Sequence, residues 1–152
     1  MPPAARCVFC EIVAGTRRAH GVLETPTVLA FMDQYRQGTT PAHVLVIPRA
    51  HVENIYGVND ALGADLFAAH ARVARGVKRA FAPPGITTWS SNEAGAGQEV
   101  MHFHLHVFPG KARVGLLLAD LRGRLFGRGL VTDEALASAA ARIRAALDEP
   151  GP

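Results

Sequence analysis

Met101-His102-Phe103-His104-Leu105-His106-Val107-Phe108 is the stretch on which the fold turns. Polar and apolar residues alternate with a period of two, the pattern of a strand with one buried face. A strand is therefore predicted over 100–108, ended by Pro109. His102, His104 and His106 would share one face, with Met101, Phe103, Leu105 and Val107 on the core side. A rise of about 3.3 Å per residue sets neighbouring histidines about 7 Å apart and the outer two about 13 Å apart. A small ligand such as a phosphate can touch two adjacent histidines but hardly all three. The end histidine is then free for another task. Three of the chain's seven histidines in strict alternation over an apolar reverse face are poorly explained as unrelated surface groups.

Just upstream, Asn92-Glu93-Ala94-Gly95-Ala96-Gly97-Gln98-Glu99-Val100 is rich in small residues. A glycine-containing turn lets backbone N–H groups approach an anion closely. Before it, Ile86–Ser91 reads as a strand, and Asn59–Phe81 as a helix with Leu62, Leu66, Val73, Val77 and Phe81 at near-helical spacing. Asn59 or Asp60 can cap that helix, and Pro83-Pro84-Gly85 stops it. Val28–Asp33 and His43–Ile47 read as two more strands, and a helix from about Thr132 to Leu147 carries Leu136, Ala140, Ile143 and Leu147 on one stripe. Between them, Gly110–Gly129 has no clear pattern beyond a short apolar piece at Leu116–Leu118. The class is α+β.

A chain of 152 residues, 49% hydrophobic, suits one domain with a sizeable core. Its net charge of +3 comes from dispersed arginines, which favours small anionic ligands over nucleic acid as the main partner. No apolar run approaches the roughly 18 residues of a membrane span, and nothing near the N-terminus reads as a signal peptide. The expectation is a cytoplasmic protein without a membrane partner. Cys7 and Cys10 are the only cysteines. As a C-x-x-C pair they read as half of a tetrahedral zinc site, as a redox pair, or as two reduced core thiols. The histidines admit a rival reading too, since imidazoles two apart on a strand can chelate a catalytic metal.

The segment His102-Phe-His104-Leu-His106-Val-Phe108 resembles the signature of the histidine triad (HIT) superfamily, His-φ-His-φ-His-φ-φ with φ apolar. The likeness extends to Cys7–Gly15, Val28–Asp33, His43–His51 and Asn92–Phe108, within about residues 7–109. It implies a HIT-like fold: an antiparallel sheet with a long central helix and a C-terminal helix, dimeric. The whole chain would be one HIT domain, with a core over about 7–110 and a C-terminal helical extension over about 111–148. The resemblance makes His104 the nucleophile that forms a nucleotidyl-histidine intermediate, and His106 the group that hydrogen-bonds the phosphate or leaving group. Gln98, with backbone N–H groups near Glu99 and Val100, would hold the α-phosphate. Asp33 would accept from the ribose hydroxyls, Phe9, Ile12 and Phe31 would enclose the base, and Asn92 would sit beside phosphate or ribose. It also implies a structural zinc held by Cys7, Cys10, His51 and His102, with no organic cofactor.

Three departures stand out. The segment between Asp33 and His43 is long, with Ala42 in place of a glycine. Glu99 stands where a hydroxyl residue is common and is expected to face solvent. Pro109-Gly110 matches neither branch closely. The resemblance favours a homodimeric phosphoramidase acting on purine nucleotide conjugates such as AMP derivatives. A dinucleoside polyphosphate hydrolase or phosphorylase, using Arg36 or Lys111 for extra phosphates, is the first alternative. A nucleotide-binding interaction protein with incidental catalysis is the second, and a metalloenzyme using all three histidines is the third.

Overall fold

Val28–Met32 and Val44–Pro48 form adjacent antiparallel strands β2 and β3, in which every residue is buried. Strands covered on both faces read as continuous apolar runs rather than alternating ones. The computed structural model describes residues 7–35, 41–110 and 129–147. Around β2 and β3 it places β1 (Gly21–Glu24), β4 (Gly85–Trp89) and β5 (Leu105–Gly110). The order across the antiparallel sheet is β1-β2-β3-β5-β4. Among the described residues the sheet is accompanied by α-helices α1 (Val8–Val13), α2 (Asp60–Phe81) and α3 (Asp133–Leu147).

The alternation of β2 and β3 sorts their side chains onto two cores. Val28, Ala30, Met32, Val44 and Val46 face α2 and α3, joined by Leu66, Val73, Val77 and Ile143. Leu29, Phe31, Leu45 and Ile47 lie on the opposite face with Phe9 of α1. That second face carries the site. α2 begins as its sequence suggests: the Asn59 side chain accepts from the Leu62 N–H at 2.9 Å. It ends where Ala82 turns left-handed at φ 45°.

β5 is shorter at its start than the alternation of histidines predicts. It begins at Leu105, not Val100, and extends through Pro109 to Gly110. Its pairing with β3 stops at Val107, so at Pro109 β5 has β4 alone for a neighbour. A residue without an N–H is tolerated where one side of a strand is unpaired. Before β5 the chain turns, and the His102 N–H bonds the Val100 carbonyl at 2.8 Å. Met101 consequently leaves the predicted core face and is exposed. β4 likewise covers Gly85–Trp89 instead of 86–91. The apolar piece at Leu116–Leu118, Arg36 and Lys111 lie outside the described residues. Among the described residues no helix is long and apolar enough to cross a membrane.

Candidate active site and metal centre

His104 precedes β5 and is buried, with its Nδ1 2.7 Å from the His102 carbonyl oxygen. A carbonyl only accepts, so Nδ1 carries the proton and Nε2 carries the lone pair. Burial holds the His104 pKa below the usual imidazole range, and the bond to the His102 carbonyl opposes that shift. The ring is therefore a neutral imidazole of fixed tautomer with one nucleophilic nitrogen. The His106 ring adjoins it, with centroids 4.9 Å apart.

His106 continues into a relay that the triad pattern does not contain. Its Nδ1 lies 2.8 Å from Nε2 of His43, the residue just before β3, and the two rings stack. His43 Nδ1 lies 3.0 Å from Asp33 Oδ2, an ion-pair distance without hydrogen-bond alignment. Asp33 Oδ1 accepts from the Tyr35 N–H at 3.1 Å. Burial alone would raise the Asp33 pKa, but the His43 ring beside it and the Tyr35 N–H carry it below its ordinary value. His43 is the member of this cluster that the sequence reading does not single out. Its signal was a histidine heading a wholly apolar strand, where a side chain that is 2% exposed must find a polar partner.

The base-side residues come together in part. Ile12, Leu29 and Phe31 line an open cavity of about 210 Å³ together with Arg17, Arg18 and Glu24. Phe9 is buried beside it, edge-on to Phe31, His102 and His104. Gln98 departs from its expected direct role. Its Nε2 donates to the Glu53 and Val100 carbonyls, and its Oε1 accepts from the Glu93 N–H. With both amide hydrogens spent, this side chain braces the loop and has no donor left for a phosphate. Glu93 stands there at φ 70° and ψ 157°, a region that glycine alone occupies without strain. Asn92 also works on the scaffold, its Oδ1 accepting from the Ile55 N–H at 2.8 Å. Val100 packs against the Phe9 cluster. Glu99 is exposed, as expected, and its charge acts to raise the His104 pKa.

Cys7, Cys10, His51 and His102 bring one potential ligand atom each to within 4.8 Å of one another. His102 donates from Nε2 to the Pro48 carbonyl at 2.9 Å, which turns Nδ1 toward Cys7 and Cys10 at 3.5 and 3.6 Å. His51 Nδ1 lies 3.3 Å from Cys10 Sγ. A tetrahedral ion with bonds of about 2.0–2.3 Å has ligand–ligand edges of about 3.3–3.8 Å, so the donor set fits a metal. The neighbouring thiol and burial act together on Cys10, with burial the larger cause, pushing its thiol up to about 11. A metal would have to displace that proton.

A model of the HIT domain matches residues 15–113. The chain belongs to the HIT family. This family is one of nucleotide-binding hydrolases. The Bacillus subtilis protein named hit is 41% identical over 106 residues, covering 70% of this chain and 72% of that one. An adenosine 5′-monophosphoramidase of Schizosaccharomyces pombe is 32% identical over 103 residues, covering 68% of this chain and 73% of that one. A zinc-bound histidine triad family protein of Mycobacterium smegmatis superposes with a TM-score of 0.74 at 27% identity, over 93% of this chain and 92% of that one. In this HIT protein the three histidines part company: His102 joins Cys7, Cys10 and His51 in a group that could hold a metal, while His104 contacts Phe9 and His106 stacks on His43.

Proposed function

We propose that this HIT protein hydrolyses the P–N bond of a purine nucleoside 5′-phosphoramidate through a nucleotidyl–His104 intermediate. The observation that carries the reading is the His104 tautomer, fixed by the 2.7 Å bond from Nδ1–H to the His102 carbonyl. His104 Nε2 attacks the α-phosphorus as the P–N bond breaks; the departing amine takes a proton from His106 Nε2 while His106 Nδ1 takes one from Nε2 of His43, whose Nδ1–H faces Asp33. Water then attacks the phosphorus and gives a proton to His106 Nε2 as Nδ1 returns one to His43, and the P–Nε2 bond breaks to release the nucleoside monophosphate. The His43 contact supports this assignment. When His43 donates to His106 Nδ1, the His106 proton must sit on Nε2, where a leaving group can receive it.

The base would occupy the Ile12–Leu29–Phe31 cavity beside Phe9. Asp33 would accept from the ribose hydroxyls with lone pairs its present partners leave over, and the backbone after Gln98 at Glu99 and Val100 would hold the phosphate. Asn92 and the Gln98 side chain would set the shape of that loop. We take the metal to be zinc. Two thiolates and two imidazoles fill four positions, so its role is to hold structure. The likeness to the S. pombe phosphoramidase and to the zinc-bound M. smegmatis structure supports both assignments. A cytoplasmic homodimer is the assembly we infer. Among the described residues the outer edge of β4 is unpaired and Phe67 on α2 is exposed, and the two offer a surface for a second copy.

The test is intact-protein mass after brief, acid-free quenching with adenosine 5′-monophosphoramidate, alongside AMP release. A transient adenylyl adduct on the wild type, absent from a folded His104→Ala variant, is the expected result. AMP formed at wild-type rate by His104→Ala would overturn the nucleophile assignment.

A further inference from the structure

We propose that Glu24 reads the purine base and selects guanine over adenine. The inference rests on the reading above, in which the base lies in the Ile12–Leu29–Phe31 cavity, and names the base that cavity takes. Glu24 ends β1, which lies at the opposite edge of the sheet from β4, where the second copy is seated. In the pairing of β1 with β2, Glu24 stands opposite Leu29 and Gly21 opposite Phe31, so both belong to the face that carries the site. Gly21 brings no side chain over Phe31, and Glu24 leans into the room this leaves. A Cβ at Gly21 would stand 3.7 Å from Glu24 Oε1. Both residues line the cavity.

One oxygen of this carboxylate is pinned and the other is open. Oε2 accepts from Arg49 at 2.8 Å, and Arg49 is itself fixed by donating from Nε to the Thr25 carbonyl at 2.8 Å. Among the described residues Oε1 accepts no hydrogen bond. Arg17 and Arg18 line the same cavity, held by Glu11 at 2.8 Å and Asp133 at 3.2 Å. A guanidinium has five N–H donors, so each keeps some for a ligand. An apolar floor with a carboxylate and two guanidinium groups suits a flat ring with donors on one edge and acceptors on the next. Guanine offers N1–H and its N2 amine to a carboxylate, and O6 and N7 to a guanidinium. Adenine turns the N1 lone pair toward the carboxylate and an amino group toward the cations, so both edges are mismatched.

The probes are GMP, IMP and AMP, which share ribose and phosphate and differ only in the base. Calorimetry on the wild type should find GMP bound about tenfold more tightly than AMP, with IMP, which lacks the N2 amine, between them. The preference stays near that of one hydrogen bond to a charged group because the Glu24 side chain is 67% exposed and water competes for it. Glu24→Gln replaces an acceptor oxygen with an amide N–H2 and should erase the preference by weakening GMP, with AMP hardly changed. Equal affinities of the wild type for GMP and AMP overturn the proposal, as does a failure of GMP to bind. A variant that keeps the preference also overturns it, and so does one that loses both nucleotides equally, which would make Glu24 a brace for Arg49 and no more. Binding needs no turnover, so the two readings fail separately. Equal affinities together with an adduct on His104 would leave that chemistry standing and remove only the Glu24 assignment. A preference abolished by Glu24→Gln, with no phosphoramidate hydrolysed, would do the opposite.

Discussion

At Asp33 a carboxylate is held ionised against the cost of its burial. Its oxygens face the Tyr35 N–H and the His43 ring, and their combined effect outweighs desolvation to lower its pKa. Folding therefore favours the charged form. The stabilisation is fully present above the unfolded value near 3.8 and is lost as pH falls through the lower folded value. Asp33→Asn keeps an acceptor for Tyr35 but removes the charge beside His43. We expect a loss of about 1–3 kcal/mol at pH 7, read by urea denaturation. The gap between wild type and variant should close as pH drops below 3.8. A gap of constant size across that range would show that Asp33 stabilises by shape and not by charge. The same residue shows why the relay escaped a one-dimensional reading. Asp33 and His106 are far apart in sequence, and His43 joins them only because β3 lies between β2 and β5.

Gly76 marks the closest approach of α2 to α3. A Cβ there would stand 2.7 Å from Leu147 Cδ2 and 3.2 Å from Ile143 Cγ2. Gly76→Val should cost about 1–3 kcal/mol by overpacking, measured as a shift in urea midpoint at unchanged slope. Gly76→Ala should lose less, because one methyl group meets the flexible end of Leu147 and helix propensity returns up to about 1 kcal/mol. A valine variant as stable as the parent would mean that the two helices separate freely. Both helices were legible because a period of 3.6 repeated over many residues leaves little else to read. β2 and β3 were legible as apolar runs. The six-residue α1 and four-residue β1 were not, being too short to show a period. The alternating histidines misled at one end only. From His106 onward the alternation is the strand's own, but at His102 and His104 it is produced by a turn and by the Nδ1 bond to the His102 carbonyl. The triad itself was legible because its chemistry depends on residue type. Trp89 and His43 meet His106 from neighbouring parts of the sheet, which a single stretch of sequence does not display.

The candidate metal site joins parts of the molecule that share little else. Cys7 and Cys10 belong to the α1 segment, His51 follows β3, and His102 precedes β5, so Cys7 and His102 are 95 residues apart. An ion bound there ties the N-terminal helix across the sheet, and its binding free energy becomes folding free energy. At a free-metal concentration about 100-fold above Kd, linkage contributes about 2.7 kcal/mol, and at about 2–4 °C per kcal/mol for a chain of this size the Tm should fall by about 5–11 °C on chelation. Cys7→Ser should produce a similar fall and no longer respond to the chelator. The functional consequence follows from what α1 carries. Phe9 packs beside Phe31 and His104, and Ile12 lines the cavity, so loosening α1 opens the base end while the His104–His106 pair stays on β5 and its approach. Chelation below the unfolding temperature should therefore raise KM for a nucleotide substrate more than it lowers kcat. A metal that took part in the chemistry would do the reverse, abolishing kcat at once in a protein whose Tm hardly moved, and that outcome would reassign the cluster from scaffold to catalyst.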